Sequence, residues 1–206
     1  MKILLLNGSP HERGCTATAL AELAGSLEQR GVETETLHVG VKPVADCTAC
    51  GVCAECGICV FDDAVNDILE NLDDYGGIVV GSPVYYAGPT GAVTSFLNRL
   101  FYAGGRRMAG KLGAAVVSCR RAGATAALDR LYKYFTISNM VLVGSQYWPM
   151  VHGVTPDQVR ADAEGLQIMR TLGENMAWLL REQQAGREAA VAPAVYEPRV
   201  TTSFHH

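Results

Sequence analysis

Short apolar runs, each followed by a turn or loop and then by a helical pattern, limit most strongly how this chain folds. The strand-like segments lie at residues 3–6, 32–39, 77–81, 112–118 and 141–144. Most of them are continuous apolar runs, which are typical of strands buried on both faces. Segment 32–39 alternates polar and apolar residues, as a more exposed strand does. The sequence therefore predicts an α/β fold, in which helices cover both faces of a five-stranded parallel sheet.

Helical patterns occupy the stretches between these segments, at residues 15–29, 64–72, 92–101, 125–135 and 156–183. Asp62 and Asp63 are predicted to cap the second of these helices. Thr155 and Pro156 form a strong start signal for the last helix, in which Gly173 is the predicted break.

A chain of 206 residues has the length of one domain. After Gly186 the sequence is rich in Ala, Pro and Val and loses its helical period. We therefore predict one domain over residues 1–185 and an extended tail over residues 186–206, either loose or draped over a partner subunit. His205 and His206 are set aside as a tag added for expression.

The composition excludes several classes of protein. Hydrophobic residues make up 49% and charged residues 18% of the chain, which is a globular balance. A formal net charge of −4 argues against binding nucleic acid by phosphate neutralisation. No apolar run is long enough for a transmembrane helix, and residues 3–6 are too short for a secretory signal. We expect a cytoplasmic protein that binds neither nucleic acid nor membranes.

Each predicted strand ends in a loop that carries polar or aromatic residues. These loops are residues 8–16, 47–59, 82–91, 118–124 and 145–154. Right-handed crossovers in a parallel sheet bring such loops to the carboxyl ends of the strands, where ligands bind. We expect all five to converge on one edge of the sheet.

The first loop, residues 8–16, has the elements of a phosphate site. It joins a buried strand to a helix, and free N–H groups at a helix start favour an anion. The hydroxyls of Ser9 and Thr16 and the charge of Arg13 would add to this site. Neither a P-loop motif nor the dinucleotide fingerprint is present. The alternative is an ordinary capped turn.

Residues 82–91 form a rigid loop with two prolines and two glycines. Tyr85 and Tyr86 offer flat faces on which a planar aromatic ligand could stack. Alternatively, these tyrosines cover the hydrophobic core.

Two further loops carry charged and aromatic side chains. Arg120 and Arg121 follow the fourth strand, where they would either meet an anionic ligand or form a solvated face. Tyr147 and Trp148 follow the fifth strand, where they would either wall a pocket or lie in a subunit interface.

Together, Gly8-Ser9-Pro10 with Thr16 and the segment Ser82-Pro83-Val84-Tyr85 resemble the NADPH-dependent FMN reductases of the flavodoxin-like superfamily. The resemblance extends from residue 1 to about residue 180 and implies a sheet order of 2-1-3-4-5. It also implies FMN as the cofactor, NAD(P)H as the hydride donor, and a neighbouring subunit in a homodimer or homotetramer. The acceptor would be a quinone, a nitro or azo compound, a flavin or an iron species.

The resemblance assigns residues of three loops to FMN. The phosphate falls on Ser9, Arg13, Cys15 and Thr16, and the ring on Pro83, Val84, Tyr85, Tyr86 and Ala87. The set also includes His11, Cys119, Arg120 and Gly123. Cys15 stands where the family has a polar side chain, so we expect it to contact phosphate through its N–H. Because the flavin performs the redox chemistry, we expect no dedicated acid or base. Arg120 is the candidate catalytic residue, stabilising negative charge on the reduced ring.

Five cysteines recur at every third position from Cys47 to Cys59. Such a run is similar to ferredoxin patterns that hold a [4Fe–4S] cluster, but free thiols or a zinc site are alternatives. The resemblance to the iron–sulfur flavoprotein branch of the family implies four ligands, which are Cys47, Cys50, Cys53 and Cys59, and leaves Cys56 spare. It supports a second hypothesis, in which FMN and the cluster relay electrons from a ferredoxin-like donor without a nicotinamide.

Overall fold

The computed structural model describes residues 2–198 and 200–202, so His205 and His206 lie outside the described residues. The strands are β1 (Lys2–Asn7), β2 (Thr34–His38), β3 (Tyr75–Pro83), β4 (Leu112–Cys119), β5 (Val141–Leu142) and β6 (Met150–His152). The helices are α1 (Cys15–Gln29), α2 (Val52–Cys56), α3 (Ala64–Glu70), α4 (Gly91–Gly104), α5 (Ala124–Ile137), α6 (Pro156–Ala161) and α7 (Ala163–Glu188).

The strands form one parallel sheet in the order β2-β1-β3-β4-β5, which confirms the predicted order. The fifth strand is shorter than predicted because the chain leaves the sheet after Val143. Gly144 and Ser145 are held on α7 instead, where Ser145 Oγ donates to the Ile168 carbonyl at 2.7 Å. The chain returns as β6, which pairs with the end of β4 and was not predicted.

Alternate side chains of β1 point to opposite faces of the sheet. Leu4 and Leu6 belong to the core beneath α3, α4 and α5, whereas Ile3 and Leu5 belong to the core beneath α1 and α7. Each of these side chains is fully buried, which contributes about 1.5–3 kcal/mol per residue. The prediction of helices on both faces is therefore confirmed. Within the described residues, no helix is both long and apolar enough to cross a membrane.

The last predicted helix is divided at Asp162 and not at Gly173. Asp162 Oδ1 accepts a hydrogen bond from the Gly165 N–H at 3.0 Å, which caps α7, and Oδ2 accepts one from the His152 N–H at 2.7 Å. Gly173 lies within α7, where a side chain would meet Ser26 of α1, so this glycine allows the two helices to pack closely. α7 continues to Glu188, past the predicted start of the tail at residue 186. The described residues after the helix form neither helix nor strand.

Thr90 links the start of α4 to the loop after β1. Its Oγ1 donates to the Gly8 carbonyl at 2.7 Å and accepts from the Val93 N–H at 3.4 Å, in a buried position. We expect Thr90→Ala to lower the free energy of unfolding by about 1–2 kcal/mol, because both bonds are lost. Urea unfolding measures this, and Thr90→Ser, which keeps the hydroxyl, is the control. Equal losses in the two variants would show that the hydroxyl is not the cause.

Candidate functional site

The loops after β1, β3 and β4 meet at the carboxyl edge of the sheet. The Gly8 N–H donates to the Gly81 carbonyl at 2.8 Å, and the Val84 N–H donates to the Ser118 carbonyl at 3.0 Å. Thr16 Oγ1 lies 2.9 Å from Ser118 Oγ, which joins the start of α1 to the end of β4. These three loops therefore converge as the sequence analysis expects. The loop at residues 145–154 joins them, because the Gly153 N–H donates to the Cys119 carbonyl at 3.1 Å.

The loop after β1 leaves backbone N–H groups free at the start of α1. Gly14 is the N-cap, and within the described chain no side chain hydrogen-bonds to cap this helix. The first N–H groups of a helix have no partner inside the helix, so they are available to an anion here. Ser9 is buried, and its hydroxyl oxygen accepts from the His11 N–H at 3.1 Å. His11 and Arg13 are exposed beside it.

Cys15 and Thr16 occupy the first two positions of α1. Burial raises the pKa of the Cys15 thiol, which keeps it protonated, and Sγ lies 3.8 Å from the Gly153 carbonyl. A protonated thiol facing that carbonyl leaves the backbone N–H as the group that can meet an anion. The Thr16 hydroxyl is buried and is directed toward Ser118 of β4.

His38, which ends β2, and Gly40, which follows it, pack against this loop, and sequence reasoning missed both residues. His38 Nε2 lies 2.7 Å from the Ser9 carbonyl oxygen. Gly40 packs against the same carbonyl so closely that any side chain there would overlap it. In the sequence, the glycine itself is the one sign of this contact, because its partner Ser9 lies 31 residues away.

We expect Gly40→Ala to displace the Ser9 loop, because the added methyl group overlaps backbone atoms that cannot rotate away. The affinity for FMN should fall about tenfold, and the free energy of unfolding should fall by about 1–3 kcal/mol. Titration of the apoprotein with FMN measures the affinity. Gly144→Ala is the matched control, since open space surrounds that position. An unchanged FMN affinity in Gly40→Ala would contradict the supporting role.

The loop after β3 contains a tight turn with unusual backbone geometry. The N–H groups of Tyr85 and Gly88 each donate to the carbonyl of the other residue, at 2.8 and 2.9 Å. Between them, Tyr86 and Ala87 have φ values of 49° and 60°. This left-handed conformation costs about 1–2 kcal/mol for each residue other than glycine. Tyr86 is fully exposed and Tyr85 half-exposed, so these tyrosines do not cover the core.

Pro83, which ends β3, and Val84 lie at the base of this turn and are half-buried. Cys119, at the end of β4, is buried, and burial raises the pKa of its thiol. Its side chain belongs to the core, and its carbonyl accepts from the Gly153 N–H at 3.1 Å. Arg120, the candidate catalytic residue, is exposed on the loop that follows.

Gly123 brings the loop after β4 against the turn after β3. It has a φ of 85°, and a side chain there would lie 3.0 Å from Ala87 Cα. The same loop borders an open cavity of about 420 Å³. Tyr147 and Trp148 line this cavity, with their rings edge to face and 5.0 Å apart. These aromatic residues therefore wall a pocket, which is one of the two sequence alternatives.

The cysteine-rich loop encloses a second, smaller cavity of about 260 Å³. Four of the five clustered cysteines line it, namely Cys47, Cys50, Cys53 and Cys59. Cys56 lies outside this cavity, exposed, and its thiol donates to the Val52 carbonyl at 3.2 Å. All seven cysteines of the chain are described, and all are free thiols. Burial raises the pKa of the Cys53 thiol.

The four sulfur atoms around this cavity are the donors that iron–sulfur clusters use, so the residues present fit such a group. Among residues 2–198 and 200–202, no three side chains form a preformed metal-binding group. A cluster would therefore require the loop to close. The short helix α2, which sequence reasoning missed, carries Cys53 and Cys56 between Gly51 and Gly57. Those glycines have left-handed φ values of 79° and 76° and bend the loop.

The expectation that the cysteine loop joins the other loops at the sheet edge is wrong. Its cavity is lined by Arg99 and Tyr102, which lie in the second half of α4. At 1.5 Å per residue, Arg99 is about 12 Å along the helix from its start at the edge. The loop is held there because Asn98 Nδ2 donates to Asp46 Oδ1 at 2.8 Å, and Arg99 pairs with Asp63.

Arg99 is the functional candidate that sequence reasoning missed. Its guanidinium is fully buried and donates to both carboxylate oxygens of Asp63, at 2.6 and 2.8 Å. Burial alone would raise the pKa of Asp63, but the hydrogen bonds from Arg99 and the Val65 N–H outweigh it and lower the pKa. The sequence indicates Arg99 only as a charged residue on the apolar face of a predicted helix, between Phe96 and Leu100.

The sheet order and the helices on both faces define a flavodoxin-like fold. The flavodoxin-like, WrbA-like protein from Agrobacterium tumefaciens superposes on 88% of this chain and 99% of its own, with a TM-score of 0.62 at 14% identity. An iron–sulfur flavoprotein of Methanocaldococcus jannaschii is 29% identical over 190 residues, which are 88% of this chain and 98% of the relative. An iron–sulfur flavoprotein of Methanosarcina thermophila is 27% identical over 192 residues, which are 91% of this chain and 100% of the relative.

Residues 1–155 match the family described as NADPH-dependent FMN reductase. The chain belongs to this family, and it is an FMN-binding oxidoreductase.

Proposed function

We propose that this protein transfers hydride from NAD(P)H to FMN and then reduces a small acceptor such as a quinone, a nitro or azo compound, a flavin or an iron species. The observation that carries the proposal is the meeting of three loops at the carboxyl edge of the sheet. Free N–H groups at the start of α1 and a rigid turn lie at this edge, and the loop after β4 connects them to the cavity with the aromatic wall. FMN, when bound, supplies hydride acceptance and the release of one or two electrons.

The chain's own residues would hold and orient this cofactor. The N–H groups at the start of α1, with Ser9 and Arg13, bind the phosphate. The turn from Tyr85 to Gly88 presents backbone groups to the ring, because its left-handed residues fix the direction of those groups before binding. The Arg120 guanidinium places positive charge near the ring and favours its reduced, anionic form.

Anaerobic stopped-flow absorbance with NADPH and with NADH tests the hydride transfer. We expect the visible flavin band to bleach within seconds with at least one of the two. Arg120→Gln should slow this bleaching, whereas Arg121→Gln, on the neighbouring residue, is the matched control. No bleaching with either nucleotide would refute nicotinamide-dependent activity.

A second candidate is an electron relay between FMN and a [4Fe–4S] cluster, with a ferredoxin-like donor and no nicotinamide. The cavity lined by four cysteines favours it, since Cys56 alone of the run lies outside. Iron and acid-labile sulfide analysis of protein prepared without oxygen tests the cluster. About four of each per chain support it, and absence of both removes the relay.

We propose further that copies of the chain associate as a homodimer or homotetramer. Trp178 of α7 is more than half-exposed, and tryptophans are enriched at interfaces between subunits. Light scattering from the purified protein in solution measures the mass of the particle. A mass equal to that of one chain would refute the proposal. The free thiols suit a reducing compartment such as the cytoplasm.

A further inference from the structure

Cys59 is held differently from the other cysteines of the loop. Asn66 of α3 fixes its backbone from both sides, because Oδ1 accepts from the Cys59 N–H at 2.8 Å and Nδ2 donates to the Cys59 carbonyl at 2.9 Å. Asn66 is itself buried in the protein. The backbone of Cys59 is therefore anchored to a helix, whereas Cys47 and Cys50 lie on a segment without helix or strand.

The side chain of Cys59 is also held, by the buried guanidinium of Arg99. Nε donates to Cys59 Sγ at 3.2 Å, and the two terminal nitrogens donate to Asp63. One of those nitrogens also donates to the Phe61 carbonyl at 3.0 Å. Every nitrogen of the guanidinium is engaged, so its orientation is fixed, and the Nε–H is directed at the sulfur.

The charges around Arg99 are unequal in their exposure. The guanidinium is 0% exposed, whereas the Asp63 side chain is 42% exposed and shares its charge with water. A buried cation is costly unless anions surround it closely. Besides Asp63, Arg99 contacts the sulfur atom of Cys59, which becomes an anionic thiolate when it binds iron.

We propose that Arg99 is a positioning residue that holds Cys59 as the fixed ligand of an iron–sulfur cluster. This inference rests on the proposed cluster. The other three cavity cysteines then close onto a ligand that is already in place. Hydrogen bonds and positive charge at a ligand sulfur stabilise the more negative, reduced cluster, so Arg99 raises its reduction potential.

A purely structural role for Arg99 would be to fasten α3 to α4. Arg107, which lies just after α4 and is partly exposed, provides the comparison. It donates to the Leu69 carbonyl of α3 at 2.7 Å and to Asp73, which follows α3, at 2.8 Å. Arg107→Met therefore removes an arginine tie between neighbouring segments without touching a cysteine that lines the cavity.

The test compares the full-length wild type with Arg99→Met, Arg99→Lys and Arg107→Met after anaerobic reconstitution with ferrous iron and sulfide. Iron release to a chelator, the midpoint potential of the cluster and the FMN affinity are measured. In Arg99→Met we expect release to be about tenfold faster and the potential to be lower, with FMN affinity unchanged. Arg99→Lys keeps the charge and should restore part of the potential. Arg107→Met should match the wild type.

The inference would be overturned if Arg99→Met released iron at the wild-type rate and kept the wild-type midpoint potential. It would also be overturned if Arg107→Met changed both quantities as much as Arg99→Met does. If Arg99→Met misfolds and therefore fails to bind FMN, the iron release and the midpoint potential of Arg99→Lys test the inference instead. It keeps the charge but not the fork that serves Asp63 and Cys59 together, so wild-type values there overturn the inference. A wild type that binds FMN but no iron refutes the proposed cluster, and with it this inference, while leaving the flavin function intact.

Discussion

Cys53→Ser is expected to reduce the iron of the reconstituted protein from about four atoms per chain to near zero, whereas Cys56→Ser should leave it unchanged. The two residues lie on the same short helix, α2, but Cys53 lines the cysteine cavity and Cys56 does not. A serine hydroxyl is a poor ligand for iron in a cluster, because it lacks the soft sulfur donor. Iron and sulfide assays on both variants measure the difference.

The Cys56→Ser variant controls for the general effect of removing a thiol from this loop. Both variants should bind FMN as the wild type does, because the cavity lies away from the loops at the sheet edge. Equal iron content in the two variants would refute the assignment of Cys53 as a ligand. Loss of iron in Cys56→Ser but not in Cys53→Ser would show that Cys56 is the ligand and Cys53 the spare thiol.

Gly123→Ala is expected to weaken FMN binding by about tenfold or more, which corresponds to about 1.4 kcal/mol. The added methyl group would lie 3.0 Å from Ala87 Cα, within the turn that we propose to hold the flavin ring. Either the turn or the loop after β4 must therefore move. Fluorescence titration of the apoprotein with FMN measures the change.

Gly110→Ala separates this contact from simple backbone strain. Gly110 precedes β4 and has a φ of 77°, close to the 85° of Gly123, but open space surrounds it. Both variants should lose about 1–2 kcal/mol of stability, since alanine is strained in this conformation. Only Gly123→Ala should lose FMN affinity. Similar FMN affinities in the two variants would show that contact with Ala87 is not needed.

The sheet and its edge loops were predictable because their signals are local. An apolar run such as residues 3–6 has few alternatives to a buried strand, and the glycines and prolines after it end the strand. The order of the strands came from the resemblance to a known family. The strand β6 was missed because its pairing depends on how the chain leaves the sheet at Gly144, which local pattern does not reveal.

The parts of the site that were missed depend on contacts between distant residues. Gly40 matters only because Ser9 packs against it, and Arg99 only because Cys59 and Asp63 reach it from another element. The break in the last helix falls at Asp162 because that side chain bonds both α7 and β6, whereas Gly173 serves close packing. A sequence shows each of these residues but not its partner.

The interruption between β5 and β6 has a consequence for the behaviour of the protein at high concentration. These two strands cover the outer side of β4 at residues 112–113 and 117–119, and they are themselves only two and three residues long. The opposite margin, β2, carries Glu35, which pairs with Lys2. Neither margin offers a long, flat backbone template, so growth of fibrils by strand addition is disfavoured. The homodimer or homotetramer proposed above would therefore form through side chains on helices and loops.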